Sequence, residues 1–186
     1  VYSFGEQVIK IFHSERKTTI PRISDEGLIL LSELNLKCFN TPISMIMDGD
    51  RIVGYTELFL ENQELNPDHI DFQSIMEDLV ILSNAGFQIE DLFYNYMDSH
   101  GKVYFTDLTC YKYIPTQVEF LRKKFLQQNM TVMNNFLIGL LLFNAFKKGE
   151  KSEYTKIYLA NEYRLKHCPD SYFGDLYEKK DALKKF

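Results

Sequence analysis

The chain has 186 residues, a formal net charge of −5 and a hydrophobic content of 45%, with 15 phenylalanines and 12 tyrosines. A chain of this size and composition predicts a folded protein with a substantial core, as one domain or as two small lobes, and excludes intrinsic disorder. The negative net charge gives no general reason to expect binding to nucleic acid or to an anionic membrane surface.

The cysteines and the longest apolar run bear on the compartment. Cys38, Cys110 and Cys168 lie far apart, without a CxxC pair or a neighbouring histidine cluster. This spacing disfavours a zinc site and a disulfide framework, so we expect an intracellular, cytoplasmic protein. The apolar run 136–146 has about 11 residues, whereas a bilayer span needs about 20, so no membrane segment is expected. No signal peptide is visible, and the first residue is not methionine, so residues upstream are expected.

The first third of the chain predicts short strands around one helix. Alternation of apolar and polar residues predicts two strands, the second at 7–12. Ser24 or Asp25 can cap a helix in which leucines then recur at helical spacing. The run 43–60 predicts two strands joined by a turn, because the Asp-Gly-Asp sequence at 48–50 is a strong hairpin signal.

The remainder of the chain predicts mainly helices. A polar, proline-containing stretch at 60–70 predicts a connector, and an amphipathic helix follows that ends at Gly86. Residues 87–109 predict a loop, a turn at 99–101 and a strand. Further helices are predicted at 116–128, 131–147 and 152–166 and in a short tail. This order of elements favours two lobes with a cleft between them.

Four charged residues are candidates for chemistry, and each also has a simpler explanation. Lys10 lies in an apolar strand, where its alkyl stem could cover the core while its amine reaches water. Glu26 lies early in a helix, where an acid also favours the helix dipole. Asp91 follows a helix and could be a turn carboxylate. Asp107 is the best single candidate, because it interrupts a hydrophobic strand between threonines.

Taken together, the four residues suit phosphoryl transfer. A strand lysine can bind phosphates, and a helix glutamate can hold that lysine by pairing with it. One carboxylate can orient a nucleophilic hydroxyl, and another can bind the Mg²⁺ that bridges the phosphates. Phosphoryl transfer depends mainly on positioning and charge neutralisation, and this set of residues could supply both.

The order and spacing of several segments resemble the protein kinase-like superfamily over most of the chain. The matching segments are "VIKIF" with the VAIK strand, "DEGLILLSEL" with the helix that carries the paired glutamate, "RIVGYTELFLEN" with the strand that leads into the hinge, "GFQIEDLFYN" with the HRDLxxxN loop, "GKVYFTDLT" with the strand and DFG motif, and "NNFLIGLLLFNAF" with the long buried helix of the C-lobe.

The resemblance implies a two-lobed α+β fold, with a small β-rich N-lobe at 1–60 and a mainly helical C-lobe at 61–186. It implies an ATP–Mg²⁺-dependent phosphotransferase whose acceptor, a protein or a small molecule, stays open. The implied roles are phosphate binding by Lys10, pairing with Lys10 by Glu26 (with Glu33 as the fallback), nucleotide binding by Glu57 and Asp107, general-base catalysis by Asp91, and Mg²⁺ binding by Asp107 and Asn95.

The chain also departs from the family's motifs. The triplet at 89–91 is Ile-Glu-Asp, without the histidine and arginine of HRD, and the triplet at 107–109 retains only its aspartate. Asn95 follows Asp91 by four residues instead of five, and no Gly-rich loop or APE motif is present. Two alternatives therefore stay open: a pseudokinase-like interaction domain without turnover, and an unrelated α+β domain whose motif matches are due to chance.

Overall fold

The structure is a computed structural model that describes residues 1–12, 22–90, 92 and 95–149. It has an α+β architecture. The strands are β1 (Tyr2–Phe4), β2 (Gln7–Ile11), β3 (Ser44–Asp48), β4 (Arg51–Leu58), β5 (Phe87–Gln88), β6 (Tyr96–Ser99), β7 (Lys102–Phe105) and β8 (Lys112–Tyr113). The α-helices are α1 (Asp25–Glu33), α2 (Phe72–Ala85) and α3 (Glu119–Lys147), and Pro67–His69 and Leu108–Cys110 form 3₁₀ turns. The helices predicted at 152–166 and in the tail lie outside the described residues.

Four of the strands form one antiparallel sheet in the order β1-β2-β4-β3. The hairpin predicted at 43–60 is confirmed as β3 and β4. In the pairing of β2 with β4, Lys10 lies opposite Tyr55 and Val8 lies opposite Glu57. Because side chains alternate between the two faces of a sheet, these four side chains share one face. The register therefore makes Lys10 and Glu57 diagonal neighbours, within reach of long side chains.

The close approach of β2 and β4 requires a glycine. Gly54 lies opposite Ile11, and a Cβ added to Gly54 would overlap the main-chain oxygen of Lys10. A larger residue would therefore force the two central strands apart at the position of Lys10.

Helix α1 begins where the sequence predicts. The hydroxyl of Ser24 accepts a hydrogen bond from the main-chain N–H of Gly27 at 3.1 Å, as an N-cap residue does. Leu28 and Leu31 are completely buried. A Cβ on Gly27 would lie 2.8 Å from Cβ of Tyr113, so the helix packs tightly against β8.

Helix α2 ends at Gly86, as predicted, in a left-handed conformation with φ of 93°. On its buried face, the Asp78 carboxylate accepts hydrogen bonds from the main-chain N–H of Lys37 at 3.0 and 2.8 Å and from that of Cys38 at 2.6 Å. These bonds connect α2 to the segment between α1 and β3.

Strands β6 and β7 form a hairpin whose turn contains His100 and Gly101, with φ of 50° and 76°. The turn at 99–101 was predicted, but the loop predicted before it was wrong at 96–98, which belongs to strand β6. Asp98 interrupts the apolar pattern of β6, and its carboxylate accepts a hydrogen bond from the main-chain N–H of Asn66 at 2.7 Å. Nδ1 of His69 lies 2.8 Å from the same carboxylate, and because these two contacts satisfy the buried group, the strand tolerates Asp98.

Strand β7 is also bonded to the segment that follows α1. The main-chain N–H of Phe105 donates to the oxygen of Cys38 at 2.8 Å, and the N–H of Asn40 donates to the oxygen of Phe105 at 2.8 Å. The rings of Phe39 and Phe105 pack with their centroids 5.0 Å apart. Residues of the predicted N-lobe and of the predicted C-lobe belong to the same buried cluster.

Helix α3 is continuous over 29 residues, so the prediction of two helices at 116–128 and 131–147 was wrong. The residues between the two predicted helices include neither glycine nor proline, and nothing there breaks the helical hydrogen bonds. Among the described residues, no helix is both long enough and apolar enough for a bilayer span.

Candidate functional site

The ammonium group of Lys10 lies between two carboxylates. Its Nζ atom is 2.8 Å from Oε1 of Glu57 and 3.9 Å from Oδ1 of Asp107. The side chain of Glu57 is only 5% exposed, whereas that of Asp107 is 48% exposed. We name these three residues the Lys10 cluster. It combines one cation with one buried and one accessible carboxylate.

Burial dominates the electrostatics of Glu57. Desolvation raises the pKa of this carboxyl, and although the ammonium of Lys10 opposes that effect, the pKa stays above its ordinary value. The Oε2 atom is buried and has no hydrogen-bond partner among the described residues. The contact with Lys10 through Oε1 therefore compensates in part for the cost of burying this carboxylate.

Tyr55 lies next to the Lys10 cluster on the same face of the sheet. The Nζ atom of Lys10 is 5.7 Å from the centroid of the Tyr55 ring, within the range of a cation–π contact. Burial raises the pKa of the Tyr55 hydroxyl, and the charges of Glu57 and Asp107 act in the same direction. Tyr55 is therefore neutral at physiological pH and attracts the lysine only through its ring.

Asp107 leaves strand β7 in an uncommon conformation. Its φ of 56° and ψ of 47° are left-handed, a region that aspartate tolerates better than most residues. The hydroxyl of Thr109 donates a hydrogen bond to Oδ1 of Asp107 at 3.1 Å. The predicted interruption of the strand is confirmed: β7 ends at Phe105, and a 3₁₀ turn follows Asp107.

Asn95 and Asp107, the two predicted metal ligands, lie at the same end of the β6–β7 hairpin. The main-chain N–H of Thr106 donates to the oxygen of Asn95 at 2.9 Å, which extends the ladder by one step beyond the strands. Carboxylate and amide oxygens suit Mg²⁺. The described residues contain no group of three His, Cys, Asp or Glu side chains that could hold a metal ion. A Mg²⁺ ion here would therefore take further oxygen ligands from phosphates and water.

The expected pairing of Lys10 with Glu26 is not formed in the structure. Among the described residues, Lys10 forms ion pairs with Glu57 and Asp107, and neither Glu26 nor Glu33 is a partner. Glu26 lies instead beside β8, where the hydroxyl of Tyr113 is 3.5 Å from its Oε1. Its position in the first turn of α1, packed against β8, accounts for this difference.

Asp91, the predicted general base, lies outside the described residues, but the segment before it is well anchored. The main-chain N–H of Ile89 donates to Oδ1 of Asn129 on α3 at 2.8 Å. Glu90 forms an ion pair with Lys112 of β8. The Sγ atom of Cys110 lies 3.5 Å from the main-chain oxygen of Glu90 and 3.0 Å from that of Asp107. The segment that leads into Asp91 is thus close to the turn that follows β7.

Sequence reasoning missed two buried polar anchors, Asp78 and Asn129, and the pairing of Glu57 with Lys10. Each anchor is a polar residue on the apolar face of a helix, and this placement was a signal that a buried polar partner exists. The identity of the partner depends on packing between distant segments. Glu57 was assigned to nucleotide binding, and its pairing with Lys10 depends on strand register, which a single sequence does not specify here.

No protein-family model matches the chain, and no curated protein or solved structure matches it.

Proposed function

We propose that this chain binds ATP–Mg²⁺ and transfers the terminal phosphoryl group to a hydroxyl acceptor, on a two-lobed fold of the protein kinase-like type. The observation that carries the proposal is the separation of 3.9 Å between Nζ of Lys10 and Oδ1 of Asp107. Lys10 belongs to the first and Asp107 to the fifth of the segments that resemble kinases, so the contact joins parts of the chain that are far apart in sequence. Their contact brings an ammonium group, which could bind phosphate, next to an accessible carboxylate, which could bind a metal ion.

The charge of each side chain determines its proposed role. Lys10 would donate hydrogen bonds to phosphate oxygens, and Asp107 and Asn95 would supply oxygen ligands to the metal. Bound Mg²⁺ would neutralise the negative charge that develops on the phosphates. Because Asp107 is half exposed, its carboxylate is accessible to a metal ion, whereas the buried Glu57 is not.

The hairpin geometry gives further support. Asn95 directly precedes β6 and its main-chain oxygen accepts from Thr106, the residue before Asp107, so both residues lie at one end of the hairpin. Asp91 would accept the proton of the attacking hydroxyl, as the resemblance implies. Asn129 would help by anchoring the main chain at Ile89, two residues before that base.

A second candidate function is an interaction domain that uses the same fold without turnover. The observation that favours it is the ion pair between Glu90 and Lys112. Glu90 stands where the HRD motif has arginine, so the charge beside the proposed base is reversed. A module of this kind would retain the Lys10 cluster and yet transfer no phosphate.

Nucleotide binding is tested by thermal denaturation with and without ATP and Mg²⁺. A ligand that binds only the folded state raises the melting temperature by mass action, so we expect an increase that depends on Mg²⁺. Asp107→Asn should abolish the metal-dependent part of the increase. Asp50→Asn, in the exposed turn of the β3–β4 hairpin, is the matched control and should leave the increase intact. No increase in the unmodified chain at millimolar ATP–Mg²⁺ would contradict the proposal.

Turnover is tested separately with Asp91→Asn. A base that orients the attacking hydroxyl acts in the transition state, so its removal should lower the rate without weakening nucleotide affinity. We expect phosphate transfer, to water or to another acceptor, to fall by about 100-fold or more. Equal activity of the unmodified chain and the variant, together with intact ATP binding, would favour the interaction domain.

A further inference from the structure

The contact between Lys10 and Glu57 has the features of a dedicated anchor. The two residues lie on adjacent strands of one sheet, in a register that allows little relative motion. The side chain of Glu57 is almost completely buried, and its second oxygen has no hydrogen-bond partner among the described residues. Within the described part of the chain, the Glu57 carboxylate therefore has Lys10 as its compensating charge.

Two of the three acids of helix α1, both in its first turn, are engaged elsewhere, and Glu33 is not an ion-pair partner of Lys10. Asp25 forms an ion pair with Arg22, one turn before it. Glu26 contacts the hydroxyl of Tyr113 on β8. The position of α1 is itself fixed by the tight packing of Gly27 on Tyr113. No acid of this helix thus contributes to the electrostatic environment of Lys10 through a direct contact.

We propose that Glu57 is the positioning residue for Lys10, and that the engagement of Lys10 with nucleotide phosphates therefore does not depend on α1. This inference rests on the proposed function. Under that function, the β-sheet alone fixes the position of the Lys10 side chain, and no movement of a helix is needed to complete the phosphate-binding site.

Glu57 also competes with Asp107 for the ammonium group of Lys10. The Nζ atom of Lys10 is 2.8 Å from Glu57 and 3.9 Å from Asp107, so the buried carboxylate is the closer partner. Without the charge of Glu57, the ammonium group would pair more closely with Asp107, the remaining carboxylate of the cluster. Asp107 would then be less available to Mg²⁺, because pairing with a cation competes with metal coordination.

The test is a pair of titrations on Glu57→Gln and on Glu26→Gln, its matched control. ATP is titrated at saturating Mg²⁺, and Mg²⁺ is titrated at fixed ATP, with binding followed by calorimetry. We expect Glu57→Gln to weaken ATP–Mg²⁺ binding by about tenfold or more, the scale of one hydrogen bond to a charged group. We also expect it to raise the Mg²⁺ concentration needed for half-saturation. Glu26→Gln should change both values by less than about twofold, since its side chain is exposed and makes only a long contact.

The Mg²⁺ requirement separates positioning from a merely structural role, because a general loss of packing would not change it selectively. A second variant, Glu57→Asp, retains the charge and shortens the side chain. It should retain most of the Mg²⁺ response even if Glu57→Gln fails to fold. Loss of the Mg²⁺ response in Glu57→Asp to the level of Asp107→Asn would overturn the inference.

The outcomes of the two hypotheses are distinguishable. If Glu26→Gln weakens binding and Glu57→Gln does not, the inference is wrong and the proposed function stands. If the unmodified chain does not bind ATP–Mg²⁺ in either titration, the proposed function is wrong and the inference falls with it.

Discussion

Glu57 and Lys10 form an ion pair of 2.8 Å between two adjacent antiparallel strands, and the carboxylate is the more deeply buried partner. Burial raises the pKa of Glu57 above 4.5, and this effect is larger than the opposing effect of the lysine. The protonation of this carboxyl is therefore linked to the folding equilibrium.

We predict that the stabilising contribution of Glu57 falls as pH rises. Because its pKa is higher in the folded state, the native protein binds this proton more readily than the unfolded chain does. The contribution is complete below the unfolded value of 4.5 and is lost as pH rises through the folded pKa. The difference in unfolding free energy between the unmodified chain and Glu57→Gln, measured by urea denaturation, should decline across that window. A difference that grows with pH would show that folding lowers the pKa of Glu57 instead of raising it.

We predict that Asp78→Asn destabilises the fold by about 2–3 kcal/mol, the scale for leaving buried polar groups unpaired. The Asp78 carboxylate accepts hydrogen bonds from the main-chain N–H groups of Lys37 and Cys38. The NH₂ group of the asparagine side chain is a hydrogen-bond donor, and it would face one of these main-chain N–H groups, which would lose its acceptor. Chemical denaturation measures the loss, and the neighbouring Glu77→Gln is the control because that side chain is exposed. An equal loss in both variants would contradict the role of Asp78 as an anchor.

We predict that Asn129→Ala destabilises the protein by about 2–3 kcal/mol. The amide of Asn129 donates to Oγ of Ser83 at 2.9 Å and to the oxygen of Phe87 at 2.8 Å, and its oxygen accepts from Ile89. Hydrogen exchange should also show faster exchange of the Ile89 amide, which loses its acceptor. Asn84→Ala, an exposed change on α2, should leave stability nearly unchanged. Slow exchange at Ile89 in the variant would rule out this anchoring.

We predict opposite effects for two glycine substitutions. Gly54→Ala should destabilise the sheet by about 1–3 kcal/mol, because the new methyl group would overlap the main chain of Lys10. Gly139→Ala should stabilise the protein by about 0.5–1 kcal/mol, because the site in α3 has open space around it and alanine favours a helix. Melting temperatures measured side by side test the pair. Stabilisation by Gly54→Ala would show that the two central strands are not in close contact.

Local signals allowed much of the fold to be predicted. The cap at Ser24, the turn at 48–50 and the stop at Gly86 each depend on a few adjacent residues, and the structure has all three. The position of Asp107 at the end of a hydrophobic strand could also be predicted, since aspartate is disfavoured within strands.

The features that were missed depend on contacts between distant segments. Strand β6 lies in a segment that was predicted to be a loop. Asp98 interrupts its apolar pattern, and the groups that contact this carboxylate, the N–H of Asn66 and the ring of His69, belong to a distant segment. The division of α3 into two helices treated the polar Asn129 as part of a break, although its side chain bonds to other segments. At the candidate site, residue types suggested the lysine and its possible acids, but strand register determines that Glu57 is the partner.

The main-chain bonds of Phe105 to Cys38 and Asn40 have a kinetic consequence. They join β7, which leads to Asp107, to the segment that leads into β3 of the four-stranded sheet, which carries Lys10. A rigid rotation of the β6–β7 hairpin away from that sheet would break both bonds and separate the packed Phe39 and Phe105 rings. Motion within the Lys10 cluster would therefore be limited to rotamer changes of its own side chains. Such changes take picoseconds to nanoseconds, whereas opening of whole domains takes microseconds to milliseconds.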